Sequence, residues 1–575
     1  CVLASAWCGA AAARGQSGEP GGAGAPGAER AAEEAQKLPP QVIVGRRADV
    51  LRLNLKVRPT VVIVSTVDDY VRMIARWTLG ERFPVLIDDG SARAAEDISR
   101  FVRAFDPRSV VRWSAPEDRP EGDELPDGKT NPAGFREAVE TAARLAWGAR
   151  NAEELSEVWK RTQFAPFGVV VASPSDPAWT AALALSAGRG QPMVWLDRAA
   201  SNVGGTTTVE NAAALESAIA RALDEMGRPW RAVGDEIESV TLCIAHEANV
   251  AGPSGRLALT DIVGRHALGE RWGWSGMIFG DAARSAYVAM CGLYLSTQSV
   301  LLFDGYKAEF APPYAVPAAA KLYQEAGLEV SANTPPLGGL EQWRQRTRWG
   351  VDHGFIHVNS SGNNGWFDLT PGRAWASDVP HLKRPTAVHF IHSFSAQVAS
   401  NVDTVAGRWL AQGAYVYYGS MDEPFLGAFH PAVTVAARSL SGGPLGVAFR
   451  QDDRPVWKLN YFGDPMVTLG PAGPRHDEPL AMERARDVAG EMREALKRQD
   501  LAAGARALLL LGRDADVVKL ARATLKDSPA KATPALARAA LTSAFRERDS
   551  ETFVALFALL DPSEQREPLT ADLLW

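Results

Sequence analysis

Two apolar stretches of the chain contain histidine and are each followed by serine. Residues 354–366 read GFIHVNSSGNNGW, and residues 386–398 read TAVHFIHSFSAQV. A serine hydroxyl becomes a nucleophile for acyl transfer when a general base lies within about 3 Å of it. The candidate positions for a nucleophile and its base are Ser361, Ser393, Ser395 and His357.

Strand geometry restricts which of these groups can meet. Side chains alternate across a strand, so His392 and Ser393 face opposite ways. His389 and Ser393 share a face but lie roughly 13 Å apart at the rise of a strand. His357, on a neighbouring predicted strand, is the best base candidate, although we expect it in mid-strand, four residues before Ser361. Alternatively, these histidines are hydrogen-bonded residues of a covered sheet.

Polar and indole side chains accumulate in the loops after two predicted strands. Ligands of open α/β sheets bind outside the carboxyl ends of the strands. We therefore expect a cleft there for a cationic or peptide ligand, unless these are solvated turn residues. The candidate cleft residues are Asn359, Asn363, Trp366, Asp422 and Glu423.

Composition excludes several classes of site. The 575 residues include 61 Lys and Arg against 68 Asp and Glu, so no strongly basic face for nucleic acid is expected. The four cysteines form no CxxC pair and no Cys/His cluster at metal spacing, so we expect neither a metal site nor a cofactor. The length favours three or four domains.

Two segments in the first part of the chain read alike. Residues 61–90 and 169–198 match at a constant offset of 108 residues, with Ser65, Asp68 and Pro84 in the first copy. Each copy predicts a buried strand, a turn, a helix and a second strand, which is typical of parallel βαβ units. The sequence therefore predicts two flavodoxin-like α/β repeats, at residues 41–150 and 151–235.

The second copy carries a further motif. Asp176-Pro-Ala-Trp, followed by Gln191-Pro192-Met193, resembles type 2 cell-wall-binding repeats. This resemblance implies a cell-envelope polymer as the partner of residues 41–235.

Residues 236–475 contain an ordered series of motifs. They are Ser361-Gly362 with Trp366 after a strand, a second strand at Val388–Ile391, the stretch from Ala406 to Gly413, the strand GAYVYYG at 413–419, and Trp457-Lys-Leu leading to Gly463-Asp464-Pro465. In order and spacing they resemble the gingipain-type cysteine peptidases, which have a strand ending in Gly-His-Gly, a second strand ending at the catalytic cysteine, and a terminal Gly-Asp-Pro. The resemblance implies a caspase-like three-layer α/β domain and cysteine-type endopeptidase activity.

The chain departs from this family at both catalytic positions. Gly-His-Gly aligns with Ser360-Ser361-Gly362, which places Ser361 at the base position. The nucleophile position falls within Ser393, Phe394 and Ser395, and spacing does not decide among them. Cysteine catalysis needs a thiolate activated by a nearby base, and neither group stands where the pattern expects it.

Three functions are compatible with these patterns. The first is a degenerate, non-catalytic peptidase domain that serves as a binding or scaffolding module in the cell envelope. The second is a working peptidase with serine-based or displaced chemistry. The third is a cell-wall-binding protein in which the repeated α/β region dominates. The expected partner is accordingly a peptide, a protein or a cell-envelope polymer.

The two ends of the chain have distinct compositions. Residues 1–40 begin with CVLASAWCGAAAA, which resembles the tail of a secretory signal peptide, and continue as a Gly-, Ala- and Pro-rich linker. This predicts export to the periplasm, the cell surface or the medium, and the apolar run is too short to span a bilayer. Residues 476–575 are rich in Ala and Leu, and residues 512–529 are echoed at 547–564, which predicts tetratricopeptide-like helical hairpins.

Overall fold

A computed structural model describes residues 38–116, 124–307, 312–452 and 454–575. Within these residues the chain has a mixed α/β fold, as the sequence predicts. The predicted signal-peptide remnant and most of the linker, residues 1–37, lie outside the described residues. Helix α1 (Pro40–Asn54) follows directly and was not anticipated from the sequence.

Twenty strands are present in the described ranges. They are β1 Thr60–Val64, β2 Val85–Ile87, β3 Ser109–Arg112, β4 Val169–Ala172, β5 Met193–Trp195, β6 Thr206–Thr208, β7 Ser239–Cys243, β8 Asn249–Gly252, β9 Gly255–Ala258, β10 Trp274–Ile278, β11 Ser299–Asp304, β12 Glu329–Asn333, β13 Phe355–Asn359, β14 Ser361–Asn363, β15 Trp366–Asp368, β16 Arg373–Trp375, β17 Thr386–Ile391, β18 Ala414–Ser420, β19 Leu459–Phe462 and β20 Arg486–Asp487.

The α-helices that follow α1 surround these strands. They are α2 Val67–Ile74, α3 Ala92–Phe105, α4 Pro132–Leu145, α5 Ala152–Thr162, α6 Trp179–Arg189, α7 Val209–Met226, α8 Leu259–Ile262, α9 Ala282–Tyr294, α10 Pro317–Glu325, α11 Leu340–Thr347, α12 Val405–Ala411, α13 Ala432–Leu440, α14 Leu445–Ala448, α15 Val488–Lys497, α16 Leu501–Leu510, α17 Asp514–Asp527, α18 Pro534–Arg546, α19 Ser550–Phe557, α20 Pro562–Gln565 and α21 Pro568–Leu574. None of the described helices combines the length and the apolar character needed to cross a membrane.

A ten-stranded sheet organises most of the chain. Its strand order is β12-β11-β13-β17-β18-β19-β10-β7-β4-β5. The five strands from β12 to β18 are mutually parallel, and so are the five from β19 to β5. The two halves run in opposite directions because β18 and β19 pair antiparallel. The strands of one half therefore have their carboxyl ends where the strands of the other half have their amino ends.

Apolar side chains cover this sheet on both faces. Val300 and Leu302 of β11 belong to one buried cluster, whereas Leu301 and Phe303 of the same strand belong to another. Alternating side chains of a strand point to opposite faces, so a continuous apolar run places one set in each core. This explains why the strands read as unbroken Val, Ile and Leu runs.

The two similar segments form matching strand pairs in different sheets. β1 pairs with β2 from Val62↔Val85, and β4 pairs with β5 from Val170↔Met193, so the register recurs at the offset of 108 residues. β1 lies in a four-stranded sheet of order β2-β1-β3-β20, whereas β4 pairs with β7 in the large sheet. The boundary predicted at residue 235 thus falls inside one continuous sheet.

The C-terminal segment is helical and is anchored to the α/β part. Its strand β20 pairs antiparallel with β3, and α16 contacts α3. A buried ion network links the two parts, in which Arg546 contacts Glu96 at 2.8 Å and Asp514 at 2.6 Å, and Arg103 contacts Asp514 at 3.2 Å. The segment therefore packs as part of the fold.

The Gly-Asp-Pro motif has a structural role. Gly463 has φ 120°, and a Cβ there would lie 2.5 Å from the Tyr415 carbonyl oxygen, so only glycine fits. The Asp464 carboxylate forms a buried ion pair with Arg189 at the end of α6 and accepts the Met466 amide at 3.0 Å. The motif thereby fastens the end of β19 to a helix of the second repeat.

We predict that Asp464→Asn destabilises the fold. The substitution leaves the Arg189 guanidinium buried without its counter-charge, and removing one partner of such a pair costs about 3–5 kcal/mol. Urea denaturation followed by circular dichroism measures the free energy of unfolding. Asp527→Asn, at an exposed aspartate, is the matched control. Equal stability of the two variants would contradict this role.

Candidate functional site

The tips of β13 and β17 lie side by side. These parallel strands pair from Phe355↔Ala387 to Asn359↔Ile391, and the Ser360 amide donates to the Ile391 carbonyl at 3.0 Å. The chain segments that carry Ser361 and Ser393 therefore leave the sheet at the same edge. The positions matched to the family's base and nucleophile are thus brought to neighbouring tips.

The three candidate serines differ in their access to solvent. Ser361 is exposed in β14, opposite Asp368 of β15. Ser393 is partly exposed. Ser395 is fully buried, and its Oγ lies where a Cβ at Gly419 would come within 2.5 Å of it. Ser395 therefore cannot reach a substrate without rearrangement, whereas Ser361 and Ser393 can.

The turn after β17 has an unusual backbone. Phe394 has φ 62°, a left-handed conformation that is uncommon for a bulky residue. Its amide donates to the Asp422 carbonyl at 3.2 Å, which ties this turn to the loop after β18. The left-handed turn separates the orientation of Ser393 from that of Ser395, so only one of them faces solvent.

His357 and His389 bond to each other inside the sheet. Their Nδ1 atoms are 2.8 Å apart, and His357 Nε2 is 2.9 Å from Asn359 Oδ1. Because the Asn359 oxygen accepts, His357 carries its proton on Nε2, and the His389 Nδ1–H donates to His357 Nδ1. The Asn359 amide in turn donates to the Tyr314 carbonyl at 2.7 Å and to Asp304 at 3.2 Å.

Burial keeps both imidazoles neutral. Burial lowers the pKa of His357 to about 4, and burial together with the neighbouring His357 lowers the pKa of His389 well below its usual value. Asn359 is buried and its amide is fully used, so it does not line a solvent-open cleft. His357 lies in mid-strand, as the sequence suggests, and its ring is directed along the sheet to Asn359.

His392 is bonded to the hairpin that follows β13. Its Nε2 donates to the Trp366 carbonyl at 3.0 Å, and a Cβ at Gly362 would lie 2.6 Å from this nitrogen. Burial lowers the pKa of His392 to about 4. The Nε2 atom of the ring therefore supports the hairpin after β13, while the Nδ1 atom is buried.

The remaining candidate residues surround the tips on three connected loops. The hairpin of Asn363 and Trp366 is joined to the turn after β17 by a 3.1 Å hydrogen bond from Asn364 to Gln397. Asn363 is exposed, and Trp366 is partly exposed under the Arg373 guanidinium, which lies 3.6 Å from its ring centre. Together with the loop of Asp422 and Glu423, these loops form what we name the tip rim.

Asp422 and Glu423 both stabilise the loop after β18. Asp422 accepts the amides of Arg256 at 2.8 Å and Glu423 at 2.7 Å. Burial alone would raise the pKa of Asp422, but these hydrogen bonds and the nearby Lys458 bring it below its usual value. Glu423 is exposed and accepts the Phe425 amide at 3.1 Å. Glu423 is thus the more accessible carboxylate of the tip rim.

Neither described cysteine can supply a thiolate. Cys243 and Cys291 are free and buried, and burial raises the pKa of both thiols well above the usual value. Cys1 and Cys8 lie outside the described residues. The described part of the chain also contains no His, Cys, Asp and Glu cluster suited to a metal ion.

Sequence reasoning missed the residues that join the loops. Gln397 connects two of them through its side chain and also accepts the Asn249 side chain on its carbonyl at 3.0 Å. Asp304 ends β11 and receives the Asn359 amide, while burial raises the pKa of its carboxyl group. The sequence offered one indication of these two residues, since each lies at the end of an apolar stretch that predicts a strand.

Comparisons with known proteins found no matching family model, no matching curated protein and no matching solved structure.

The buried histidines predict a specific pH dependence of stability. In the unfolded chain a histidine has a pKa near 6.5, whereas His357 and His392 have pKa values of about 4 in the fold. Between these values the unfolded chain binds more protons, so stability is fully present above about pH 6.5 and is lost as the pH falls toward 4.

Urea denaturation from pH 7 to pH 4.5 measures this loss, which is on the order of 1–3 kcal/mol for each fully buried imidazole. His357→Gln should be less stable at pH 7 but lose less stability on acidification than the unmodified protein. The same pH dependence in both proteins would contradict the neutral, buried state of His357.

Proposed function

We propose that this chain is an exported, gingipain-like protein with a caspase-like domain whose peptidase site is degenerate, and that it binds a peptide or protein ligand at the tip rim. The observation that carries the proposal is the pairing of β13 with β17, which brings Ser361 and Ser393 to adjacent tips while His357, His389 and His392 are engaged elsewhere. The order of motifs in residues 236–475 supports the family assignment, and the N-terminal sequence supports export.

Loss of catalysis follows from the chemistry available at the tips. A serine needs a base within hydrogen-bond reach to attack a carbonyl group. Each of the three imidazoles nearest in sequence is buried and uses one ring nitrogen in a hydrogen bond within the sheet or the hairpin. The second nitrogens of His389 and His392 are also buried, so neither is open to a bound substrate. The low pKa values of these imidazoles also make them weak bases at neutral pH.

Ligand binding requires neither a nucleophile nor a general base, so the residues of the tip rim are compatible with it. The partly exposed Trp366 offers the part of its indole that Arg373 does not cover, and the exposed Glu423 offers a carboxylate for a cationic group. Asn363 supplies a further amide from an exposed position. A peptide with a basic side chain matches this combination of an indole, an amide and a carboxylate.

A working serine peptidase is the second candidate, favoured by the exposure of Ser361 and Ser393 at adjacent tips. It would require a base that reaches Ser393 after ligand binding, for example by movement of His392 out of its bond with Trp366. A hydrolysis assay on variants separates the two candidates.

We predict that the full chain binds basic fluorogenic peptides without cleaving them. Fluorescence release measures hydrolysis, and polarisation of the same peptides measures binding. Hydrolysis should stay at the background rate in the unmodified protein and in Ser393→Ala and Ser395→Ala. Trp366→Ala and Glu423→Gln should each weaken binding about fivefold.

Val554→Ala, at an exposed apolar residue of α19, a helix that packs on α17 and α18, is the control and should bind normally. Hydrolysis that disappears in Ser393→Ala or Ser395→Ala would overturn the degenerate assignment in favour of the serine peptidase. Binding that is unchanged in both rim variants would overturn the assignment of the ligand to the tip rim.

A further inference from the structure

A cavity at the far end of the large sheet has no role in the proposed site. It lies between α4, α5 and the edge strand β5, and its volume is about 190 Å³. Five strands separate β5 from β17 in the sheet order, so the cavity is remote from the tip rim. We name it the Gln191 cavity, and its lining includes Arg144, Trp147, Leu155, Trp159, Gln191 and Met193.

Polar atoms without partners are concentrated around the Gln191 cavity. Within the described part of the chain, no hydrogen bond reaches the indole nitrogens of Trp147 and Trp159, Nε of Arg144, or either polar atom of the Gln191 amide. Gln191 is fully buried. Buried polar groups are normally hydrogen-bonded, so a group of five such atoms around one cavity indicates that a polar occupant completes them.

The chemistry of these atoms defines the occupant. Four of the five atoms are N–H donors, and only the Gln191 oxygen is an acceptor. A hydroxyl group accepts two hydrogen bonds and donates one, so an occupant rich in hydroxyls fits this excess of donors. An ammonium group, which only donates, does not fit.

The charges around the Gln191 cavity disfavour an anion. Arg144 is already paired with Glu137 at 2.6 Å and with Glu140 at 3.2 Å, so its positive charge is compensated by two carboxylates. Glu140 is fixed in turn by the Trp195 indole at 2.7 Å. A phosphate or carboxylate would meet a wall that is neutral to negative, so the occupant is uncharged.

The remaining surface is apolar and aromatic. Trp147 and Trp159 meet edge to face with ring centres 6.2 Å apart, and Leu155 and Met193 complete the lining. Indole faces pack well against the C–H groups of a saturated ring, while polar groups at the edge bind its hydroxyls. At about 190 Å³ the cavity is smaller than the roughly 300–1,000 Å³ of sites for drug-sized ligands, which suits a single ring.

We propose that the Gln191 cavity binds one neutral pyranose ring of a carbohydrate. The ring would pack between Leu155, Met193 and the two indoles, with its hydroxyls accepting from Trp147, Trp159 and Arg144 and exchanging hydrogen bonds with the Gln191 amide. The proposal is independent of the proposed function, because the two sites share no residue and lie in opposite halves of the sheet.

The test is titration of the full chain, labelled with ¹⁵N at tryptophan, with glucose, galactose and N-acetylglucosamine. At least one of these sugars should shift the indole N–H signals of Trp147 and Trp159, with a Kd on the order of 1 mM for one ring. The Trp159→Phe spectrum assigns its signal and should show binding weakened about fivefold. Gln191→Met should weaken it about tenfold, with folding checked by circular dichroism.

Trp113→Phe is the matched control, since Trp113 also has a buried indole nitrogen without a described partner but does not line this cavity. It should leave binding unchanged. Absence of any shift up to 50 mM sugar would mean that water alone completes the cavity and would overturn the proposal. Sugar binding that is unaffected in both Trp159→Phe and Gln191→Met, or binding of adenine in place of the sugars, would also overturn it.

Discussion

The parallel pairing of β13 with β17 is the constraint on which the candidate site depends. Five consecutive residue pairs fix the register, and it ends at Asn359↔Ile391. Because the two strands run in the same direction, the segments that follow them must leave at the same edge. The segments that carry Ser361 and Ser393 therefore start from neighbouring strand ends, although the two serines are 32 positions apart in the chain. The hairpin, the left-handed turn at Phe394 and the loop after β18 are all fastened to this edge.

The same pairing explains where the histidines point. His357 and His389 are in register and share a face, so the two buried imidazoles bond to each other, and His357 also bonds Asn359. Satisfying three of the four ring nitrogens inside the sheet is favourable because a buried polar group without a partner is costly, and His389 Nε2 alone of the four has no partner among the described residues. It also removes from the tips the bases that serine chemistry would need. The buried, hydrogen-bonded position of the two histidines thus stabilises the sheet and also leaves the ends of β13 and β17 without these two bases.

Local patterns in the sequence predicted much of this arrangement. Apolar runs, and the polar or turn residues that bound them, predicted the ends of β13 and β17 and the mid-strand position of His357. They also predicted the strand–helix–strand segments and the helical C-terminal segment. The mixed α/β fold is confirmed. The family assignment, the function and export remain predictions, as do the individual roles of Ser361, Ser393, Ser395 and His357.

Long-range pairing was not predictable from those patterns. Nothing in the sequence around Val169 indicates that β4 pairs with β7, and this pairing places the second repeat in the large sheet. The burial of Ser395 depends on Gly419 of another strand, and the loss of Asn359 from the cleft depends on Tyr314 and Asp304. The Gln191 cavity likewise forms only when α4, α5 and β5 meet. Each of these features needs partners that are distant in the chain.

The closeness of the two strand tips can be measured with an introduced thiol and imidazole. Ser393→Cys is prepared alone and with Ser361→His, and alkylation of the introduced thiol by iodoacetamide at pH 7 is followed by peptide mass spectrometry. An imidazole at the neighbouring tip lowers the thiol pKa, so the account predicts alkylation about tenfold faster in the double variant. Ser400→Cys, at an exposed serine, should show no such acceleration by Ser361→His. Equal alkylation rates for Ser393→Cys with and without the introduced histidine would contradict the claim that the two tips form one site.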